Sequence, residues 1–390
     1  MKNKDILLDV IGDTDEKLIP ELSAERKKSR IIKWSVFGGG ICAAAVIACA
    51  VMLSSGQKQS SYKSLYGDLP HTAQFGTKSG SEKIDSEVMY GGMGFEGLMA
   101  YDISELAVPN PCSPEDVPEA LPVYRNLSYE NDYLTSDDVK EIAENTAAAL
   151  NKTITEKKSE YEFKCDDSTS ISVYGNGMIG ILFGKAVAVP PEYKFTYGDT
   201  SPAEAEKVLS YFSEQYAALL QYDEPVCYSF ADRLYSGEEI RSYYVYNKSE
   251  DIVSDILNFS FSHALFSPDD SGDLMCIWLT NSYCSSEYAG DYPVITADEA
   301  AELLLSGSYY SSVPADYLPG GTISAEDIAR TDIIYRTCRE EYYQPYYRFY
   351  VELDNEAFNM ADNLKNFGIF YVPAIESEYL SDFSPGVSFN

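Results

Sequence analysis

Residues 34–53 read WSVFGGGICAAAVIACAVML, twenty positions without a charged side chain. At 1.5 Å per residue a helix of that length covers about 30 Å, the hydrocarbon thickness of a bilayer. Arg26, Lys27, Lys28, Arg30 and Lys33 crowd its N-terminal side, and the next basic residue after it is Lys58. Basic residues are retained on the cytoplasmic side of a spanning helix. The asymmetry therefore predicts a short cytoplasmic N-terminus and an extracytoplasmic remainder. A rival reading starts from Val46-Ile47-Ala48-Cys49, which fits the small-residue pattern before a lipid-modified cysteine; cleavage there would leave a passive surface lipoprotein anchored at Cys49. The long segment before the apolar run, and its continuation through Val51, Met52 and Leu53, favour the uncleaved helix.

Charge follows this division. Of 29 basic and 62 acidic side chains, eight and seven lie in residues 1–33, leaving 21 and 55 for the rest. So acidic an outer part repels phosphate backbones and anionic headgroups, which excludes nucleic acid as a partner and fits cations, cationic peptides or basic protein faces. With 45% hydrophobic residues and 33 tyrosines it can bury a core. Six cysteines lie beyond the apolar run (Cys112, Cys165, Cys227, Cys276, Cys284 and Cys338), enough for three disulfides in an oxidising compartment. None forms a C-x-x-C pair and the only histidines are His71 and His263, so neither a metal site nor a cofactor is expected.

Within residues 1–33, Ile6, Leu7, Val10 and Ile11 form a short apolar face that suits docking to a cytoplasmic regulator or lying on the membrane. Residues 54–88 are rich in Ser, Gly, Lys and Gln and read as a flexible tether. From residue 89 a pattern recurs: a capped amphipathic helix, then antiparallel strands. Helices are predicted to start at Thr135 or Ser136, at Ser201 with Glu204 completing a capping box, and at Thr296 with Glu299 doing the same. Hairpins are predicted from 170–174 to 178–183 around Gly175-Asn176-Gly177, and from 258–266 to 274–280 around residues 269–273. Later strands are expected near 333–336, 346–353 and 368–372. The fold class expected is α+β: one transmembrane helix plus an exported domain of repeated helix-on-antiparallel-sheet units, about 89–198, 199–290 and 291–390.

The helix openings SDDVKEIAENTAAAL, SPAEAEKVLSYF and ITADEAAELLLSG resemble those of PepSY-type domains, and QPYYRFYVELDN followed by GIFYVPAI is similar to their closing strands. The arrangement also resembles the tandem ectodomains of accessory proteins that restrain a cell-wall sensor kinase in Gram-positive bacteria. The N-terminal DILLDVIGDTDEKLIPEL, a basic stretch and one apolar run look like bitopic membrane proteins of clostridia-like bacteria. These resemblances imply a regulator or inhibitor, and they bring no catalytic residue. Residues 227–255 are an insert relative to a minimal unit of that kind.

Sharper motifs weaken on inspection. Gly175-Asn176-Gly177-Met178-Ile179-Gly180 matches G-x-G-x-x-G, but a strand-like run follows where a dinucleotide site needs a helix N-terminus. Asp269-Asp270-Ser271-Gly272-Asp273 is acidic enough to suggest calcium, yet its glycine is misplaced for an EF-hand and no closing glutamate follows. His263 lies in an alternating run and is expected to be a structural strand residue. No G-x-S-x-G or H-E-x-x-H is present, and an envelope glycan or peptide hydrolase using paired carboxylates remains the enzymatic alternative. Tyrosines cluster at 342, 343, 346, 347 and 350. Period two places Phe349, Val351 and Leu353 on a core face and Tyr346, Arg348, Tyr350 and Glu352 on the other, where they would offer a protein or peptide partner a rigid contact strip. The expectation is a single-pass, non-enzymatic membrane protein whose exported domain binds a protein, peptide or envelope ligand, with relay to a cytoplasmic regulator of the anti-sigma or kinase-accessory type.

Overall fold

The computed structural model describes residues 95–129, 133–337, 340–354, 358 and 360–380. The apolar segment 34–53, the tether 54–88, the docking face at Ile6, Leu7, Val10 and Ile11, and Cys338 lie outside the described residues. Among those described, no helix is long and apolar enough to cross a membrane. The architecture is mixed α and β, with antiparallel sheets.

The chain opens with β1 (Gly97–Ala100), a 3-10 turn at Ile103–Leu106, and β2 (Ala120–Asn126). Helix α1 (Ser136–Ala149) follows, then β3 (Ile154–Lys157), β4 (Glu162–Cys165), β5 (Ser170–Val173) and β6 (Ile179–Val187). Next come α2 (Pro202–Gln215), a single turn α3 (Ala217–Leu220), β7 (Pro225–Arg233) and β8 (Glu239–Asn247). Helix α4 (Ile252–Phe261) runs directly into β9 (Ser262–Pro268), followed by β10 (Leu274–Asn281) and β11 (Ser286–Pro293). Helix α5 (Ala297–Leu305), β12 (Ile328–Tyr335), β13 (Tyr342–Tyr343), β14 (Pro345–Glu352) and β15 (Lys365–Pro373) complete it.

The three predicted helix starts are where the capping residues place them. Thr135 with Asp138, Ser201 with Glu204, and Thr296 with Glu299 each form a reciprocal capping box. In each, two backbone donors that the first helical turn leaves open find acceptors. The hairpin at Gly175-Asn176-Gly177 also forms. Gly177 has a φ of +89°, and a Cβ there would lie 2.8 Å from the Cys284 Cβ, so turn geometry accounts for this glycine and no helix follows.

Two expectations are corrected. Residues 258–261 belong to α4, not to a strand: the Asp251 carboxylate accepts from Ser254 N at 2.8 Å, and Ile256, Leu257 and Phe261 turn to the core with helical spacing. The Phe-Ser alternation from 259 to 262 hides that period from a period-two reading. The three-disulfide framework is absent, since Cys112, Cys165, Cys227 and Cys276 are free thiols.

One antiparallel sheet of eight strands has the order β3-β4-β5-β6-β10-β9-β8-β7. Both long helices lie on one face of it. Val139, Ala143 and Ala147 of α1 pack on Phe163, Ile171 and Val173, and Val208, Leu209 and Phe212 of α2 pack on Tyr243, Ala264 and Phe266. The seam is β6 against β10, with Ile181 opposite Ile277, so segments almost a hundred residues apart share a ladder. A second sheet of four strands has the order β1-β15-β14-β12, and a third, β11-β2-β13, flanks it. The four-stranded sheet turns Phe349, Val351, Phe370 and Val372 toward α4 and α5, where Ile256, Leu257, Ala300 and Leu304 cover them.

Candidate functional site

The strand predicted to meet a partner is interior. β14 lies between β12 and β15, and Tyr346 and Tyr350 are 0% and 2% exposed. They form a second apolar cluster with Leu106, Ile334, Ile369 and Tyr371. The strip of Tyr346, Arg348, Tyr350 and Glu352 is therefore not an open surface. Glu352 is the most open of the four and pairs with Lys365 at 2.8 Å, and Arg348 is partly open. Period two separated the faces correctly, but a central strand of this sheet is covered on both.

What that face carries is a layer of buried charge. Asp332 sits directly opposite Arg348 in the β12–β14 ladder, and its side chain is 4% exposed. Arg330 Nε donates to Asp332 Oδ1 and Arg348 Nη2 to Oδ2, each at 2.9 Å. Arg330 Nη1 also donates to the Leu106 carbonyl at 3.1 Å. Both guanidiniums lie over the Tyr350 ring, at 5.7 and 5.1 Å from its centre. Two cations thus share one carboxylate. Desolvation works against the Arg348 charge, but the Tyr350 and Asp332 neighbours hold its pKa above the usual arginine value. The Arg348 Nε is buried without a hydrogen-bond partner, while 21% of the side chain stays open.

A neighbouring cluster is balanced toward the acidic side. Arg336 donates to Glu340 Oε1 at 2.9 Å and to Glu96 Oε2 at 3.1 Å, and its guanidinium lies 4.4 Å from the centre of the Tyr371 ring. The Tyr371 hydroxyl donates to the other Glu96 oxygen. Burial pushes the Glu340 carboxyl up despite Arg336.

The face of the eight-stranded sheet away from its helices supplies an aromatic wall. Along β7, Cys227, Ser229 and Ala231 share the helix-covered face, so Tyr228, Phe230 and Asp232 take the other. Tyr228 and Tyr244 stack at 5.3 Å with ring planes 14° apart, and Phe230 stacks on Tyr244 at 6.0 Å and 7°. His263 meets the Tyr244 ring edge-on at 5.7 Å, and Phe259 of α4 leans on Tyr228 at 5.7 Å. Tyr228, Phe230, Tyr244 and His263 are each half-buried, and the three aromatic rings among them pack into none of the hydrophobic cores of the described residues.

Burial raises the Tyr228 phenol well above its ordinary value, with Tyr244 adding to the rise and the Arg348 charge pulling it back. The ring contact of Arg348 is with Tyr350 and that of Tyr228 is with Tyr244. β1 and the Ile103–Leu106 turn lie against β7 on one side, and α4 bridges β8, β9 and β12 on the other. Met99 N donates to Asp232 Oδ1 at 2.8 Å, and Arg233 Nε to Glu105 Oε2 at 2.9 Å, fastening the first of these sides. These contacts tie the four-stranded sheet and the Ile103–Leu106 turn to β7, an edge strand of the eight-stranded sheet.

Two titratable groups on the aromatic wall are displaced by burial. Asp232 rises to about 6, although the amides of Met99 and Arg233 favour its charged form. His263 falls to about 4, so at neutral pH it is uncharged, and its Nδ1 has no partner. The acidic segment after β9 offers no ligand set. Asp269 Oδ1 accepts from the amides of Ser271 and Asp273, and Asp273 Oδ1 accepts from Val189 N. Among the described residues, no group of three or more His, Cys, Asp or Glu is arranged to hold a metal ion.

Sequence reasoning singled out Arg348 and Tyr350 but missed Tyr228, Phe230 and Tyr244, which lie in the insert 227–255. The alternation V-C-Y-S-F-A-D-R, opposite E-I-R-S-Y-Y-V-Y-N, is the signal that marks this insert as a hairpin with an aromatic face. No family model matches the chain, and no curated protein matches it either.

Proposed function

We propose that this chain is a ligand-binding module held at the cell membrane by residues 34–53, and that it acts by occupancy, not turnover. The observation that carries the reading is the helix-free face of β7 and β8, where the half-buried rings of Tyr228, Phe230 and Tyr244 stack and join none of the hydrophobic cores of the described residues. Such a face suits recognition, because stacked aromatic rings offer a large, rigid contact area.

Joined helix-on-sheet units of a PepSY-like kind fit the placement of α1 and α2 on one sheet. On this reading the tether 54–88 lets the module reach an envelope ligand, and the Ile6-Leu7-Val10-Ile11 face reports to a cytoplasmic regulator. The test is in-cell crosslinking of the full chain beside a chain lacking residues 3–22. A cytoplasmic partner recovered only with the full chain supports the relay. Identical partner lists confined to the envelope would remove the relay and leave the outer module alone.

A further inference from the structure

We propose that the helix-free face of the eight-stranded sheet, where the Trp278 indole lies flat over Gly180, binds an uncharged glycan chain. The inference names the ligand class of the proposed binding module and rests on that reading.

Cross-strand register builds the platform. Glu162 pairs with Ser172, Ser172 with Gly180, Gly180 with Trp278 and Trp278 with Leu265, and residues directly opposite share a face. The row continues from Leu265 to Tyr244 and Tyr228. Ile181 and Ile277, next in sequence to Gly180 and Trp278, belong to the helix-covered core, so this row faces the other way. Three carbons of the six-membered indole ring lie 2.7, 2.9 and 3.2 Å from where a Gly180 Cβ would stand. Gly180 has no left-handed φ, so close approach of the ring, not backbone conformation, accounts for this glycine. Trp278 is half-buried and joins none of the hydrophobic cores of the described residues. Its ring contact is with Tyr174, beside it at 6.2 Å and 31°. One indole face rests on Gly180, so the open face is the one turned away from the sheet. Leu182, two residues along β6 on the same side, is 50% exposed, so this part of the face meets solvent.

A sugar ring matches such a surface. A pyranose presents a flat patch of C–H groups that its oxygens leave slightly positive, whereas the face of an indole is negative. Its hydroxyls point outward in the plane of the ring, and each both donates and accepts. From the indole over β6, Ser172 is one strand away and Glu162 and Lys164 are two, roughly 5 and 10 Å. Glu162 and Lys164, two apart on β4, share this face and cancel in charge, so the rim selects no ion. Beyond residue 33 the chain has 21 basic against 55 acidic side chains, which repels anionic polymers. A peptide strand is disfavoured for a different reason. β6 lies between β5 and β10, and β10 between β6 and β9, so neither has a free edge for a peptide to extend.

The chain has two tryptophans, Trp34 and Trp278, so in Trp34→Phe all indole emission reports the platform. The experiment titrates that full-length variant, in micelles of a zwitterionic detergent without sugar, with chitotetraose, cellotetraose and tetragalacturonate. A saturable blue shift is expected with at least one neutral tetramer, about tenfold tighter than with tetragalacturonate. By calorimetry, Trp278→Leu should weaken that binding about tenfold. Glu162→Gln, at the half-buried rim, should weaken it about threefold and leave the melting temperature unchanged, which a loss of folding would not do. Leu305→Ala, at an exposed site on α5, should leave affinity unchanged. The proposal is overturned if neither neutral tetramer saturates at millimolar concentration, if binding leaves the Trp278 emission unmoved, or if tetragalacturonate binds as tightly. An emission shift that follows protein concentration without sugar assigns the face to a second copy and overturns it too. Any of these beside a partner recovered by crosslinking removes the glycan and keeps the binding module. Saturable sugar binding with no crosslinked partner keeps the site and removes the relay.

Discussion

At the scale of residues, burial without pairing leaves a measurable mark on stability. Asp232 is raised from 3.8 to about 6, so between those values the folded chain holds a proton that the unfolded chain has released. Stability from this group therefore falls as pH rises through that window. His263 is lowered from 6.5 to about 4, so over nearly the same range the unfolded chain holds the extra proton. Its contribution is fully present above 6.5 and is lost as pH falls toward 4. The two slopes have opposite sign and nearly offset each other. Asp232→Asn should therefore gain on the wild type as pH rises from 4 to 7, by about 1–2 kcal/mol once solvent at a half-buried site is allowed for. Urea melts of both proteins at pH 4, 5, 6 and 7 check this. A difference that stays flat would mean that the Asp232 carboxyl ionises as freely in the fold as in the unfolded chain.

At the scale of elements, each helix longer than a single turn is specified twice, once at its cap and once along its buried stripe, and the two specifications differ in size. The Ser201–Glu204 box sits at the surface, so Ser201→Ala should cost about 1 kcal/mol. Phe212 lies between Phe195 at 5.0 Å and Phe266 at 5.1 Å, so Phe212→Ala should cost about 3–5 kcal/mol. Chemical denaturation of the two variants would show that order, and an equal cost would mean that the interior relaxes around the missing ring. The same duality explains what could be read in advance. The capping boxes and the Gly-rich turn are local, so α1, α2, α5 and the β5–β6 hairpin were legible from short stretches. The seam between β6 and β10 and the pairing of β1 with β15 depend on segments far apart, which no local period encodes. The strip on β14 was half legible for that reason: Arg348 and Tyr350 stood out in their strand, but nothing nearby in sequence announced that β12 and β15 would flank it and that Tyr350 would be buried. α4 escaped because Phe and Ser happen to alternate across its last turn.

At the scale of the whole molecule, the described residues separate by their cores more clearly than by their order along the chain. Every residue in the two helix-covered clusters falls between 134 and 279, whereas the four-stranded sheet needs β1 from the beginning and β12, β14 and β15 from the end. One hydrophobic core with its own complete sheet is the usual condition for independent folding. Residues 133–281 expressed alone should therefore keep α1, α2 and a cooperative thermal transition followed by far-ultraviolet circular dichroism. The fragment would lose the cover over Ile256, Leu257 and Phe261, which pack into the other body, so it should also self-associate as concentration rises. A broad, non-cooperative melt would show instead that the eight-stranded sheet depends on β1, the Ile103–Leu106 turn and the Asp232–Met99 bond. Those contacts would then be the seam that holds one indivisible fold together.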